Sequence, residues 1–219
     1  MDTPQSSDWN RFWSRNQSVQ PAEVSWSKKR IMHVIAPYMR KGKKILDAGC
    51  GSGFFSRYFC DQGLQTVSLD YSDKALDMAR QITQGRSRII KHDLLSGDLA
   101  PAINEKFDII FSDGLLEHFT AHDQDKIMAN FISLLGRGGV LITFVPNRWS
   151  PWELIRPFFM PGIAETPFIL KGLVRLKIRN GLAILESGGI NTLPFALSPD
   201  KAFGRYFGML LYAIAKKNE

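Results

Sequence analysis

Short apolar runs and stretches of helical spacing take turns between residues 44 and 147. Lys44-Ile45-Leu46-Asp47-Ala48 runs into glycine and reads as a buried strand. The pattern predicts a helix over Phe54 to Asp61 and a second strand over Thr66 to Leu69. A second helix follows to about Ile82, with Ser72 as N-cap and Asp73 in its first turn. Ile89-Ile90 is a short third strand and Phe107 to Phe111 a fourth. Ile127, Phe131, Leu134 and Leu135 place a helix over Asp123 to Leu135, stopped by Gly136. Val140 to Val145 is the fifth strand, ended by Pro146.

Alternating strands and helices predict an α/β fold, a mostly parallel sheet covered on both faces. Ligands of such sheets sit outside the carboxyl ends of the strands. The first strand ends in Asp47-Ala48-Gly49-Cys50-Gly51-Ser52-Gly53, whose glycines allow a sharp turn and close approach of a ligand. The spacing is G-x-G-x-G, so the dinucleotide fingerprint G-x-G-x-x-G is not met. Asp47 would repel a pyrophosphate and attract an ammonium, which suits a ligand carrying both an anion and a cation, such as an amino acid. Asp70 ends the second strand, where a carboxylate accepts from ribose hydroxyls, and Tyr71 offers an apolar edge for a base. Asp93 follows the third strand and can accept from an exocyclic amino group. Ser112-Asp113-Gly114-Leu115-Leu116-Glu117-His118 follows the fourth, at the ligand's reactive end.

These motifs, with Leu134 to Leu141, resemble in order and spacing the class I S-adenosylmethionine-dependent methyltransferases, most of all the small-molecule group of ubiquinone and polyketide methyltransferases. The resemblance implies a Rossmann-like, doubly wound, seven-stranded sheet with an antiparallel edge hairpin, for which Leu182 to Leu185 and Phe207 to Ala215 are the candidate strands. It implies S-adenosylmethionine as cofactor, S-adenosylhomocysteine as product and no metal. Asp47 would engage the methionyl ammonium, and Gly49 and Gly51 would leave room beside it, with Cys50 as small packing. Asp70 would hold the ribose diol with Tyr71 against adenine, Asp93 and the Leu94 N–H would read the adenine edge, and Ser112 and Asp113 would lie near the methionyl carboxylate and sulfonium. His118 is the candidate base for an oxygen acceptor, set against a purely structural role for Glu117-His118.

Charge separates this middle block from its flanks. Residues 1–43 carry 8 basic and 3 acidic side chains, residues 44–147 carry 10 and 13, and residues 148–219 carry 10 and 5, for a net charge of +7. All five tryptophans lie in the flanks. The division is therefore an N-terminal helical cap over residues 1–43, with helices at Asp8 to Ser14 and Val24 to Tyr38, and a methyltransferase domain over residues 44–219. Residues 147–166 form a lid or substrate loop, in which Trp149, Trp152 and Phe158 are candidate acceptor contacts and two arginines suit an anionic group on an apolar or aromatic acceptor. Thr166 and Pro167 predict the start of the next helix, whose Lys171, Arg175 and Arg179 share one face. That face is either solvated or a peripheral membrane contact.

The basic run Arg40-Lys41-Gly42-Lys43-Lys44 precedes the first strand, at the end of the sheet away from the cofactor, which argues against nucleic acid as partner. The rivals to a small-molecule methyltransferase are an RNA or protein methyltransferase and a non-catalytic S-adenosylmethionine-binding module. Two cysteines exclude a disulfide framework and a four-thiolate zinc site. The N-terminus lacks the basic and apolar segments of a secretory signal, and no apolar run reaches membrane-spanning length, so the expectation is a cytoplasmic protein. The oligomeric state is left open.

Overall fold

The computed structural model describes residues 6–15, 24–97, 99–159 and 165–217. Seven strands form one sheet: β1 (Lys44–Ala48), β2 (Gln65–Asp70), β3 (Arg88–Lys91), β4 (Phe107–Asp113), β5 (Leu135–Pro146), β6 (Leu182–Ile190) and β7 (Leu210–Lys217). Their order is β3-β2-β1-β4-β5-β7-β6. The first five pair in parallel, and β7 runs antiparallel to both β5 and β6. The helices are α1 (Ser6–Arg15), α2 (Trp26–Ile35), α3 (Phe54–Asp61), α4 (Asp73–Ile82), α5 (Leu99–Ile103), α6 (Ala121–Leu134), α7 (Trp152–Phe159) and α8 (Leu170–Arg179), with a short terminal turn at Arg205–Phe207.

Side chains alternate across the strands, and each face builds its own core. Leu46, Ile110, Leu141, Leu211 and Ala213 meet α5, α6 and α8 through Leu99, Ile127, Phe131 and Leu173. Ile45, Ile109, Phe111, Ile142 and Ile214 meet α2 and α3 through Ile31, Ile35, Phe55 and Phe59. The central strands are therefore apolar on both sides, which is why they read as continuous runs. Ser72 caps α4 by accepting from the Ala75 N–H at 3.2 Å, as its sequence position predicts.

Several boundaries differ from the sequence reading. Helix α6 is capped by Thr120 and starts at Ala121. It ends before Leu135, which is already paired with Phe107; the glycines at 136, 138 and 139 form an irregular excursion before pairing resumes at Val140. The sixth strand extends five residues past Leu185, since Gly188 and Gly189 belong to it. A Cβ at Gly188 would lie 2.9 Å from the Tyr212 hydroxyl, and one at Gly189 would lie 2.0 Å from the Gly204 carbonyl oxygen, so close approach requires residues of low strand propensity. The seventh strand begins at Leu210, and Phe207 stays half exposed.

Thr166 and Pro167 do not start a helix. The Thr166 N–H donates to the Glu117 carbonyl at 2.8 Å, Phe168 bridges to Asn147, and α8 begins at Leu170 behind Ile169. The extended segment 165–168 is thus tied to the end of β5. In α8, Arg179 is held by Asp125 through two hydrogen bonds of 2.9 Å, while Lys171 and Arg175 are exposed. No helix among the described residues is long and apolar enough to cross a membrane.

Candidate functional site

The carboxyl ends of β1, β2 and β4 open into one cavity of about 510 Å³. That volume is within the usual range for a small-molecule site. The Gly49 and Cys50 N–H groups both donate to the Leu69 carbonyl, which fixes the glycine loop against the end of β2. Gly49, Gly51 and Gly53 all have positive φ, and at each of them space matters as well, a Cβ at Gly49 lying 2.8 Å from the Leu115 side chain. A Cβ at Gly53 would lie 2.6 Å from the Ala79 Cα, where α4 crosses the start of α3. A Cβ at Gly51 would lie 2.6 Å from the Trp13 indole, because α1 lies across the loop.

Asp70 is buried at the end of β2. Its Oδ2 accepts from the Gly51 N–H at 3.0 Å and its Oδ1 from the Ser72 N–H at 2.9 Å. Each oxygen keeps acceptor capacity for a further donor. Burial raises its pKa, against the backbone donors that lower it. Asp47 is buried too, and its Oδ2 accepts from the Ser56 hydroxyl at 2.6 Å. Ser56 accepts in turn from Ser68, and Ser68 bonds Ser87, so a chain of hydroxyls backs the carboxylate. Burial, opposed by that Ser56 bond, raises the Asp47 pKa to about 7. Tyr71, Asp93 and Leu94 line the same end of the cavity, and Asp93 Oδ1 accepts from the Leu95 N–H at 2.9 Å.

The other end is built from β4 and from parts far apart in the chain. Asp113 is half-buried, with a pKa raised to about 7 by desolvation, which the nearby Lys28 ammonium from α2 opposes. The Lys28 Nζ sits 4.0 Å from the Phe54 ring centroid. Glu117 and His118 line the wall, and the Trp9 ring meets His118 edge-on at 4.8 Å. Arg156 of α7 pairs with Glu153 at 3.1 Å and with Glu165 at 3.3 Å. Phe12, Trp152, Met209 and Leu210 supply apolar wall.

The structure thus brings Asp47, Gly49, Cys50, Gly51, Asp70, Tyr71, Asp93, Leu94, Asp113, His118 and Trp152 to one cavity. It separates the remaining candidates. Ser112 is fully buried away from the cavity, and its hydroxyl donates to Thr143 at 3.3 Å, since strand alternation sends it to the face opposite Asp113. Trp149 is 66% exposed and does not line the cavity: its N–H donates to Asn147 Oδ1 in a turn that points the ring outward. Residues 152–159 are helix α7 rather than loop, and the side chain of Phe158 lies outside the described residues. Lys28, Phe12, Phe54, Glu165 and Met209 were missed. The helical spacing of residues 24 to 38 could have marked an α2 face, but not which residue of that face reaches the cavity. Among the described residues, no group of three or more His, Cys, Asp or Glu side chains is placed to hold a metal ion.

Residues 46–143 match the family model described as a methyltransferase domain. The ubiquinone biosynthesis O-methyltransferase of Thiobacillus denitrificans is 30% identical over 168 residues, covering 76% of this chain and 68% of the relative. The protein of the same name from Coxiella burnetii is 26% identical over 141 residues, and the match spans 58% of its length. Among solved structures, magnesium protoporphyrin IX methyltransferase from Synechocystis with bound SAH aligns with a TM-score of 0.69 at 17% identity, over 97% of each chain. A TehB-like SAM-dependent methyltransferase from Corynebacterium glutamicum aligns at 0.64 and 22% identity, over 97% of this chain and 98% of its own. These two likenesses concern the fold.

Proposed function

The chain belongs to the class I S-adenosylmethionine-dependent methyltransferases of small-molecule type, and from that premise we propose that it methylates a small, largely apolar or aromatic acceptor held at the β4 end of the cavity. The observation that carries the reading is a single cavity with two chemically different ends. The Asp70 end has acceptors for a diol and apolar edges for a base. The β4 end is walled by aromatic rings and closed by ionisable groups.

The chemistry of the donor set fits the cofactor. Asp70 retains lone pairs for ribose hydroxyls, Tyr71 and Leu94 flank a base, and Asp93 and the Leu94 N–H take its polar edge. Asp47 and Asp113 supply carboxylates for an ammonium and a sulfonium. S-adenosylmethionine, when bound, supplies an electrophilic methyl group on its sulfonium. The residues of the β4 end do the rest by position: Trp152, Phe12 and Trp9 hold the acceptor in line and exclude water. Correct alignment of two reactants is worth about 7–11 kcal/mol of barrier. For a hydroxyl acceptor, His118 is the side chain placed to take the proton. Helix α1 acts as a cap, because it lies over the glycine loop and the Asn10 Oδ1 accepts from the Ser72 hydroxyl at 2.7 Å.

Calorimetry with a chelator present tests the premise. Both S-adenosylmethionine and its demethylated product should bind, and a flat trace with both would overturn it. A methyl-transfer screen over phenols, carboxylates, amines and quinone-like lipids then identifies the acceptor. With an acceptor in hand, Trp152→Ala should lower turnover while cofactor affinity stays within about threefold, roughly 0.7 kcal/mol. Trp149→Ala should change neither, because its ring is outside the cavity. Equal losses from both substitutions would contradict this placement.

A further inference from the structure

Charge pairing at the β4 end leaves one group over. Lys28 faces Asp113, and Arg156 is held by Glu153 and Glu165. Arg156 therefore carries one positive charge against two carboxylates, which leaves no surplus charge for an anionic acceptor. Among the described residues, Glu117 has no such cation. It is 2% exposed, it lines the cavity, and its Oε2 has no hydrogen-bond partner. An unpartnered buried carboxylate oxygen is costly, and a fold that keeps one on a cavity wall has a place for a donor. The backbone around it is rigid: the Glu117 carbonyl accepts from the Thr166 N–H, which ties the 3₁₀ turn Leu116–His118 to the segment entering α8.

We propose that Glu117 determines acceptor specificity: its free oxygen takes a hydrogen bond from an ammonium, amino or hydroxyl group of the acceptor, apart from the methylated atom, and the site rejects a carboxylate there. The inference rests on the methyltransferase reading and refines the acceptor class within it. The surroundings argue for a cationic donor above a neutral one. Burial raises the Glu117 pKa well above the carboxylate range, and Glu165, Asp113 and Glu153 raise it further, so without a cation the protonated acid is favoured and a cationic donor restores the carboxylate. An ammonium would supply the compensating charge that the protein withholds. Among the described residues, Asp113, Glu117, Glu153 and Glu165 share the two cations Lys28 and Arg156, so a carboxylate would bring a further acidic group with no cation to pair it.

The test uses the full chain loaded with S-adenosylhomocysteine and three matched fragments: benzylamine, benzyl alcohol and benzoate. Binding is followed by ligand-observed NMR titration. Benzylamine should bind at least tenfold more tightly than benzoate, with benzyl alcohol between them. Glu117→Gln should weaken benzylamine at least tenfold and shrink its advantage over benzoate, while S-adenosylhomocysteine affinity and melting temperature hold. Glu117→Asp, which keeps the charge, should retain the order of preference with weaker binding. Benzoate binding as well as benzylamine, an unchanged preference in Glu117→Gln, or no fragment binding to the loaded protein would each overturn the inference. Failure of the wild-type protein to bind S-adenosylhomocysteine would instead sink the methyltransferase reading itself.

Discussion

Asp70→Ala should weaken binding of both S-adenosylmethionine and its demethylated product by roughly tenfold or more. A hydrogen bond to a charged group contributes about 1.5–3 kcal/mol, and in the proposed site Asp70 accepts from two ribose hydroxyls. The substitution also frees the Gly51 N–H and the Ser72 N–H, so the glycine loop and the start of α4 lose their common anchor. Asp108→Ala is the matched control. Asp108 accepts from the Lys44 N–H at 2.8 Å at the opposite end of the sheet, and its loss should leave cofactor affinity within about threefold, roughly 0.7 kcal/mol. Isothermal titration of both variants decides the matter: equal losses would contradict the placement of the ribose at Asp70.

The second large effect is one of stability. Lys177 is fully buried on α8, its Nζ donates to the Thr143 hydroxyl at 2.9 Å, and among the described residues no carboxylate pairs with it. Burial pushes its pKa down to about 7. In the unfolded chain a lysine titrates near 10.4. Between those two values the unfolded state binds the extra proton, so stability rises with pH across that window, and the penalty is fully present below about pH 7. At about 1.4 kcal/mol per pH unit, the lysine costs on the order of 4 kcal/mol near neutrality. Lys177→Met should remove most of that cost and raise the Tm by roughly 8 °C or more. Thr143 keeps the Ser112 hydroxyl as a donor, so the change strands no polar group. Urea denaturation at several pH values should show the wild-type slope between pH 7 and 10 flattened in the variant. An unaltered slope would place the pH dependence elsewhere.

The half of the cavity proposed for the cofactor was legible because its residues follow strands directly. Asp47, Asp70 and Asp93 each end or follow an apolar run, and strand ends on one side of a parallel sheet converge whatever the helices between them do. The half proposed for the acceptor was not legible, because Lys28, Trp152, Glu165 and Met209 meet there only through tertiary packing. Strand periodicity could have separated Ser112 from Asp113, since neighbours in a strand face opposite sides. Nothing local distinguishes Trp149 from Trp152; the turn through Asn147 and Ser150 turns one ring outward and starts a helix beneath the other. The missed helix α5 has only five residues, too few for a periodic signal. The glycines that hide the end of β6 are there for packing, and packing is not written in propensity.

The place of β7 between β5 and β6 bears on how the chain is made. Strands β1 to β5 can pair with one another as they leave the ribosome, but β6 has no neighbour until residues 191–209 have passed and β7 follows. Until then β5, apolar from Val140 to Val145, carries an open edge. Assembly of that half of the sheet is a late, non-local event, slow relative to the local pairing before it. A chain cut short before residue 210 would leave the largely apolar edge of β5 open, in the form most prone to pair with another chain.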